Sequence, residues 1–313
     1  MFNIDLLFEN LTNPALLFFI LGILAVCVKS DLEIPPTTSK FISLYLLFSI
    51  GFRGGQELAH ENFNHEVIWI IIFCLLISIV IPIVYFFILR TKFNIFDSGA
   101  IAASYGSVSA VTFITAVSYL EGMQYTTHGY MVAIMALMES PAIIISLLLV
   151  SIFNKNDVKN FSKSSVLKHS LTNGSIFLLL GSLVIGFIAS EKQALGISPF
   201  TNDLFKGFLV IFLLEMGITS GKKLKTLFNY GIYPLIFAIV IPLINGCLVA
   251  FLSEFITEDI TNRFLMSILA AGASYIAVPA AMKNALPESN PSLYLPMALA
   301  ITFPFNITIG FPI

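Results

Sequence analysis

The 313-residue chain is 57% hydrophobic and 11% charged, with a mean hydropathy of +0.92. Soluble domains carry about 25% charged residues, so this chain lacks the polar surface to face water on all sides. Its net charge of −2 comes without a basic tail or polybasic run, which leaves nucleic acid no electrostatic footprint.

The first 13 residues carry Asp5 and Glu9 and no Lys or Arg. A secretory signal opens with a basic stretch, so this amino terminus reads as mature sequence. Apolar blocks of roughly 18 to 25 residues follow, long enough to cross a hydrocarbon core. They predict ten spans, near 14–29, 39–52, 67–89, 98–120, 129–153, 174–190, 204–220, 229–253, 263–284 and 293–313. Cys27, Cys74 and Cys247 each fall alone in such a block and read as small packing residues. His60, His65, His128 and His169 fall in predicted loops. No HExxH, GxSxG, Walker or Cys/His pattern is present, so an enzyme has no visible catalytic set and no cofactor is expected.

Orientation follows from the basic residues of alternate loops. Lys29, Lys40, Arg90, Lys92, Lys155, Lys159, Lys163, Lys168, Lys222, Lys223, Lys225 and Lys283 share one side, against Arg53, Lys192, Lys206 and Arg263 on the other. The lysine-rich side is expected to be cytoplasmic, with both termini outside a bacterial inner membrane. The polar stretch 154–173 is then a cytoplasmic linker joining two halves, 1–153 and 174–313.

The halves resemble each other in order. LFSIGFRGGQEL (47–58) matches LLEMGITSGKKL (213–224), IVIP recurs at 79–82 and 239–242, and AASYGSVSAV (102–111) faces AAGASYIAVP (270–279). Pro141 pairs with Pro304. Each half holds an odd number of spans, so the second copy is inverted. The expected fold is an all-α polytopic membrane protein of about ten transmembrane helices in two inverted five-helix repeats, with helices 4 and 9 interrupted. Such repeats recur in secondary transporters.

The interruptions are predicted near 106–109 and 274–279, where small and hydroxyl residues flank Gly or Pro and Pro279 removes a backbone donor. In lipid a break survives only where protein or a water-lined cavity satisfies the freed groups. Half-helices restarting there present free N–H groups and a positive dipole end, suited to a small anion. The candidate anion site is Gly106, Ser107, Ser109, Thr112, Ser274, Tyr275, Ala277 and Pro279. The opposing half-helix ends offer carbonyl oxygens to a hard cation such as Na⁺. The competing reading is that these small residues only let helices pack closely.

Glu139 lies mid-span in Met138-Glu139-Ser140-Pro141, where a charge costs about 2.5 kcal/mol or more. It is the candidate cation ligand, with Ser274, Thr302 and Asn306 completing a Na⁺ shell and Thr308 nearby. A protonated packing residue is the alternative. Glu215 is less informative, because it lies close enough to Lys222 and Lys223 to reach the interface.

At these segments the chain resembles the sodium-dependent bicarbonate transporter family first defined in cyanobacteria. The likeness is carried by GSVSAVT with Tyr119-Leu120-Glu121, by Met138-Glu139-Ser140-Pro141-Ala142 and by Pro287-Glu288-Ser289-Asn290-Pro291-Ser292. It implies a moving core of spans 3–5 and 8–10 against a gate of spans 1, 2, 6 and 7, homo-oligomers such as trimers, and Na⁺-coupled bicarbonate uptake. The ninth span departs from the cyanobacterial pattern: Tyr275 stands where that pattern has Asp, which leaves both ion and anion open. The PII-like regulator of the cyanobacterial members, which have a longer cytoplasmic loop, is not carried over. Three other functions stay in view: a proton-coupled carboxylate transporter working through Glu139, an anion channel, and a membrane enzyme. Polar residues clustered at midplane favour alternating access over a channel.

Overall fold

In the computed structural model, which describes residues 14–60, 65–154 and 174–313, long apolar stretches make unbroken helices and the chain bends where Gly, Ser and Pro gather. The helices are α1 (Pro14–Cys27), α2 (Pro36–His60), α3 (His65–Leu89), α4 (Ile95–Gly106), α5 (Ala110–Gly122) and α6 (Tyr130–Phe153). The second half holds α7 (Gly174–Ile188), α8 (Glu191–Ser198), α9 (Phe205–Leu227), α10 (Ile232–Ser253), α11 (Ile260–Ala271), α12 (Ala277–Ala285) and α13 (Pro291–Gly310). In α13 α-helical and π-helical turns alternate. No strand occurs among the described residues. Six helical stretches are long and apolar enough to cross a membrane, and three shorter apolar helices accompany them. The protein is therefore a multi-pass helical membrane protein. The linker 155–173, with His169, and the first 13 residues lie outside the described residues.

Several expectations needed correction. The second helix runs over Pro36–His60, beyond the expected 39–52, because its polar residues find partners. Arg53 pairs with Glu121, and the Gln56 side-chain amide donates to the carbonyls of Gly186 and Ala189. His60 closes α2 and His65 opens α3 instead of lying in a loop, whereas His128 does precede α6. Only Cys74 is buried; Cys27 and Cys247 are exposed on apolar outer faces.

Packing divides the helices into two groups. In one, α2 lies along α7 and α1 along α9. Glycine lets each pair touch backbone to backbone. A Cβ on Gly55 would strike the Leu183 carbonyl and one on Gly186 the Phe52 carbonyl. Gly22 and Gly217 stand in the same relation to Leu214 and Phe19. The other group packs α3 on α4 and α6, and α10 on α11 and α13. Unbroken α3 and α10 form its outer wall, with only 33% and 28% of their apolar windows buried, whereas 94% of the Ile95–Gly122 window is buried. An interrupted helix in lipid needs that shelter, since exposed backbone groups there cost several kcal/mol each, by order of magnitude.

Candidate functional site

The site begins with two helix breaks that meet. α4 ends at Gly106 and α5 restarts at Ala110, while α11 ends at Ala271 and α12 restarts at Ala277. The two breaks cross and bond to each other. Ser274 N donates to Ser104 O at 2.8 Å, and Ser104 Oγ donates to Ser274 O at 2.6 Å. Gly272 lies so close to Ser109 that a Cβ would come within 3.2 Å of its amide nitrogen.

Each broken end is satisfied by protein, as burial in lipid requires. At the end of α11, Asn245 Nδ2 donates to Ala270 O (3.0 Å) and Asn306 Nδ2 to Ala271 O (2.8 Å). At the restarts, Ser109 Oγ accepts from Thr112 N (3.1 Å) and Ser274 Oγ from Val278 N (3.3 Å). The first amides of α5 and α12 lack intrahelical partners by the nature of a helix start. Both dipole ends point into the crossing, a favourable place for negative charge.

Ser109, Ala110, Ser274, Tyr275 and Ala277 line a small cavity of about 20 Å³ together with Glu139. That volume holds roughly one water-sized occupant. Glu139 reaches it from α6. Its backbone carbonyl accepts from Ser107 Oγ at 3.3 Å, while no side chain among the described residues bonds its carboxylate. The Tyr275 ring is buried, and its hydroxyl faces Ser109 without closing a hydrogen bond of normal geometry. Tyr275 and Ile276 also form the inner wall of a vestibule of about 500 Å³. This vestibule opens between α2 and α9 on the lysine-rich side, lined by Ser39, Lys40, Glu215, Thr219, Lys222 and Lys223. On the far side of the crossing lies a separate, small cleft of about 10 Å³ between α2, α5 and α6.

The sequence model described as the Na⁺-dependent bicarbonate transporter superfamily matches residues 14–313. The chain belongs to that superfamily. It is accordingly a membrane transporter of the sodium-dependent bicarbonate class and not an enzyme. No curated protein matches the sequence.

Within this transporter the expected site residues separate into two sets. Ser109, Ser274, Tyr275, Ala277 and Glu139 come together around one cavity. Gly106 instead packs on α3, where a Cβ would fall 2.6 Å from Pro82 Cδ. Thr112 Oγ1 is tied to Ser109 Oγ at 2.8 Å. Ser107 holds the Glu139 backbone, and Pro279 lies within the first turn of α12. Thr302 receives the Tyr105 hydroxyl (2.7 Å) and donates to Ala238 O (2.7 Å). Thr302 and Asn306 are thus engaged in fastening helices and do not line the cavity beside Glu139. Thr308 bonds the Pro304 carbonyl one turn earlier.

Two features went unpredicted. Asn245, buried in an apolar span, receives the Tyr85 hydroxyl while capping α11; a lone buried amide was its only sequence signal. The vestibule could have been suspected from Ser39 and Ser43, and from Glu215, Thr219 and Lys223, each set spaced at i, i+4.

Proposed function

We propose that the transporter carries bicarbonate with Na⁺ by alternating access, and that its open vestibule faces the cytoplasm. The observation that carries this is the unpartnered Glu139 carboxylate in a cavity shared with the two half-helix starts. A carboxylate at membrane depth calls for a cation, and opposed dipole ends call for an anion. The cavity near Glu139 suits a bare monovalent cation. The anion would lie on the Tyr275 side, reached through the lysine-lined vestibule. Among the described residues no cluster of three His, Cys, Asp or Glu exists to hold a metal ion, in keeping with a weakly held Na⁺ bound by few charges.

An inverted repeat of ten crossings underlies this reading. Its support is pairwise. Exposed residues on α3 recur on α10 at a constant separation of 160: Ile72 with Ile232, Leu76 with Ile236, Ile79 with Ile239, Val80 with Val240, Val84 with Ile244 and Ile88 with Leu248. Tyr85 and Asn245, separated by the same number, bond each other, as residues on a pseudo-two-fold axis would. The glycine contacts of α1 with α9 mirror those of α2 with α7. The excess of lysines beside the vestibule supports its cytoplasmic placement.

The test is uptake of radiolabelled bicarbonate into proteoliposomes with an inward Na⁺ gradient, a proton gradient, or neither. Stimulation by Na⁺ alone is expected. Uptake driven only by protons would transfer the role of Glu139 to proton carriage, and uptake indifferent to both would end the coupled reading.

A further inference from the structure

The side opposite the vestibule is sealed by an arrangement whose local physics is unfavourable. Glu121 is the penultimate residue of α5, where the negative end of the helix dipole opposes a carboxylate. What holds it there is tertiary. Its Oε1 is paired with Arg53 of α2, and its Oε2 lies 3.9 Å from Lys206 Nζ of α9. One carboxylate therefore occupies two cations from two helices, α2 and α9, of the group in which α2 lies along α7 and α1 along α9. Arg53 and Glu121 are 23% and 21% exposed, so the pair is largely shielded from water. The Arg53 guanidinium also lies 5.7 Å from the centre of the Phe205 ring, which restricts its orientations. Beneath the pair is the closed cleft lined by Arg53, Glu57, Val117 and His128.

If α5 moved away, Arg53 would lose its carboxylate partner as the cleft opened to water, leaving the guanidinium fork vacant for another oxyanion that enters the cleft. Bicarbonate is planar and trigonal and presents two oxygens to a guanidinium fork as a carboxylate does. We propose that Arg53 and Lys206 form an external site for a planar oxyanion, occupied in this state by the Glu121 carboxylate and transferred to bicarbonate when the outer cleft opens. Glu121 is then both the seal and an internal stand-in for substrate. The inference rests on the alternating-access reading and adds a second anion site to it, on the face away from the vestibule.

The test uses full-length protein in proteoliposomes, with Cys27, Cys74 and Cys247 replaced by Ala and Val117→Cys as reporter inside the cleft. Glu121→Gln is expected to raise labelling by a membrane-impermeant maleimide about tenfold, and external bicarbonate should suppress that labelling. The exchange Arg53→Glu with Glu121→Arg should restore slow labelling, because a pair again closes the cleft. Its external KM for bicarbonate should nevertheless rise about tenfold, because the cation has moved to the wrong helix. Lys206 is 61% exposed, so Lys206→Gln is safe for folding and should raise that KM roughly two- to threefold. Labelling of Glu121→Gln at the parental rate, labelling indifferent to bicarbonate, or a parental KM in both the exchanged protein and Lys206→Gln would each overturn the proposal. Loss of the labelling response with Na⁺-driven uptake intact would count against this site alone. Absence of Na⁺ stimulation in the parent would instead count against the transport reading.

Discussion

Toward the lysine-rich face the helix crossing is reached through a vestibule of about 500 Å³, whereas toward the other face only a separate cleft of about 10 Å³ is present, beside the Arg53–Glu121 pair. The same helices bound both. α2 contributes Ser39 and Lys40 to the open side and Arg53 to the closed one, and α9 contributes Lys222 and Lys223 to the open side and Lys206 to the closed one. On the open side Lys40, Lys222 and Lys223 stand with Glu215 around a wide space, whereas on the closed side Arg53 and Lys206 converge on the one carboxylate of Glu121. The open side differs from the closed one by the seating of α5 against α2 and α9, not by a different set of helices. A path open to one side only is what separates a carrier from a channel, which would join vestibule and cleft continuously.

Glu139 lies between the two sides, and its replacement should have the largest effect. Gln keeps the size and a carbonyl oxygen, so packing around Ser107 should hold. Glu139→Gln should abolish ion-driven bicarbonate uptake, down to the rate of empty liposomes, while the protein still purifies as a folded species. The vestibule and cleft should then behave alike with and without Na⁺ in labelling experiments. Full Na⁺-driven uptake by this variant would return Glu139 to a neutral packing role.

The smaller, second effect concerns Ser109, whose hydroxyl both caps α5 and lines the inner cavity. Ser109→Val removes that oxygen and crowds the half-helix start. The apparent KM for bicarbonate should rise about tenfold with Na⁺ dependence unchanged. Loss of the cap should also cost about 1 kcal/mol of stability, checked by thermal unfolding in detergent. An unaltered KM would show that the anion does not touch this helix start.

How much of this was legible in sequence depended on what a residue is used for. The breaks were legible, because Gly106, Ser107, Ser109 and Pro279 disfavour continuous helix by local chemistry alone. Ser109 and Tyr275, expected around an anion, and Glu139, expected around a cation, with Ser274 in both sets, line one cavity, because polar atoms at membrane depth have few places to go. Thr302 and Asn306 entered the expected cation shell for the same reason, although the structure places them away from that cavity. An amide that caps a helix end inside lipid and an amide that binds a cation carry identical sequence signals, and only the positions of Ala271 O and Ala238 O separate them. The vestibule left only a faint trace, the i, i+4 spacing of Ser39 with Ser43 and of Glu215 with Thr219 and Lys223, since it is a space between α2 and α9 and not a property of either. Arg53 and Glu121 were each visible, but nothing in their spacing announced that they meet.

The smallest expected effect lies in how the two broken helices begin. α4 starts on the open side under a neutral cap, Asn94, whose Oδ1 accepts from Asp97 N at 2.8 Å. α11 starts on the closed side under a charged cap, Asp259, which accepts from Thr261 N (2.7 Å) and Asn262 N (3.2 Å) and pairs with His128 Nε2 at 2.9 Å. Burial opposes ionisation of Asp259, but the His128 ring and the backbone N–H groups of Asn262 and Thr261 outweigh it and hold the carboxyl below the usual range. A carboxyl with a lowered folded-state pKa contributes its stability fully above the unfolded value of about 3.9, and that contribution is lost as pH falls through the lower folded value. Asn caps a helix about as well as Asp, so Asp259→Asn should remove only the charge. With the side chain about one-third exposed, the loss should be about 0.3–1 kcal/mol, or roughly 1–2 °C in melting temperature. The deficit should be present at neutral pH and shrink as pH falls through the lowered range of the Asp259 carboxyl. Transport should be unchanged at neutral pH, because the pair fastens the outer end of α11 without touching the crossing. If Asp259→Asn instead admitted maleimide to the cleft, the seal would extend beyond Arg53 and Glu121 to the His128 side, and the boundary drawn between the two regions would have to move with it.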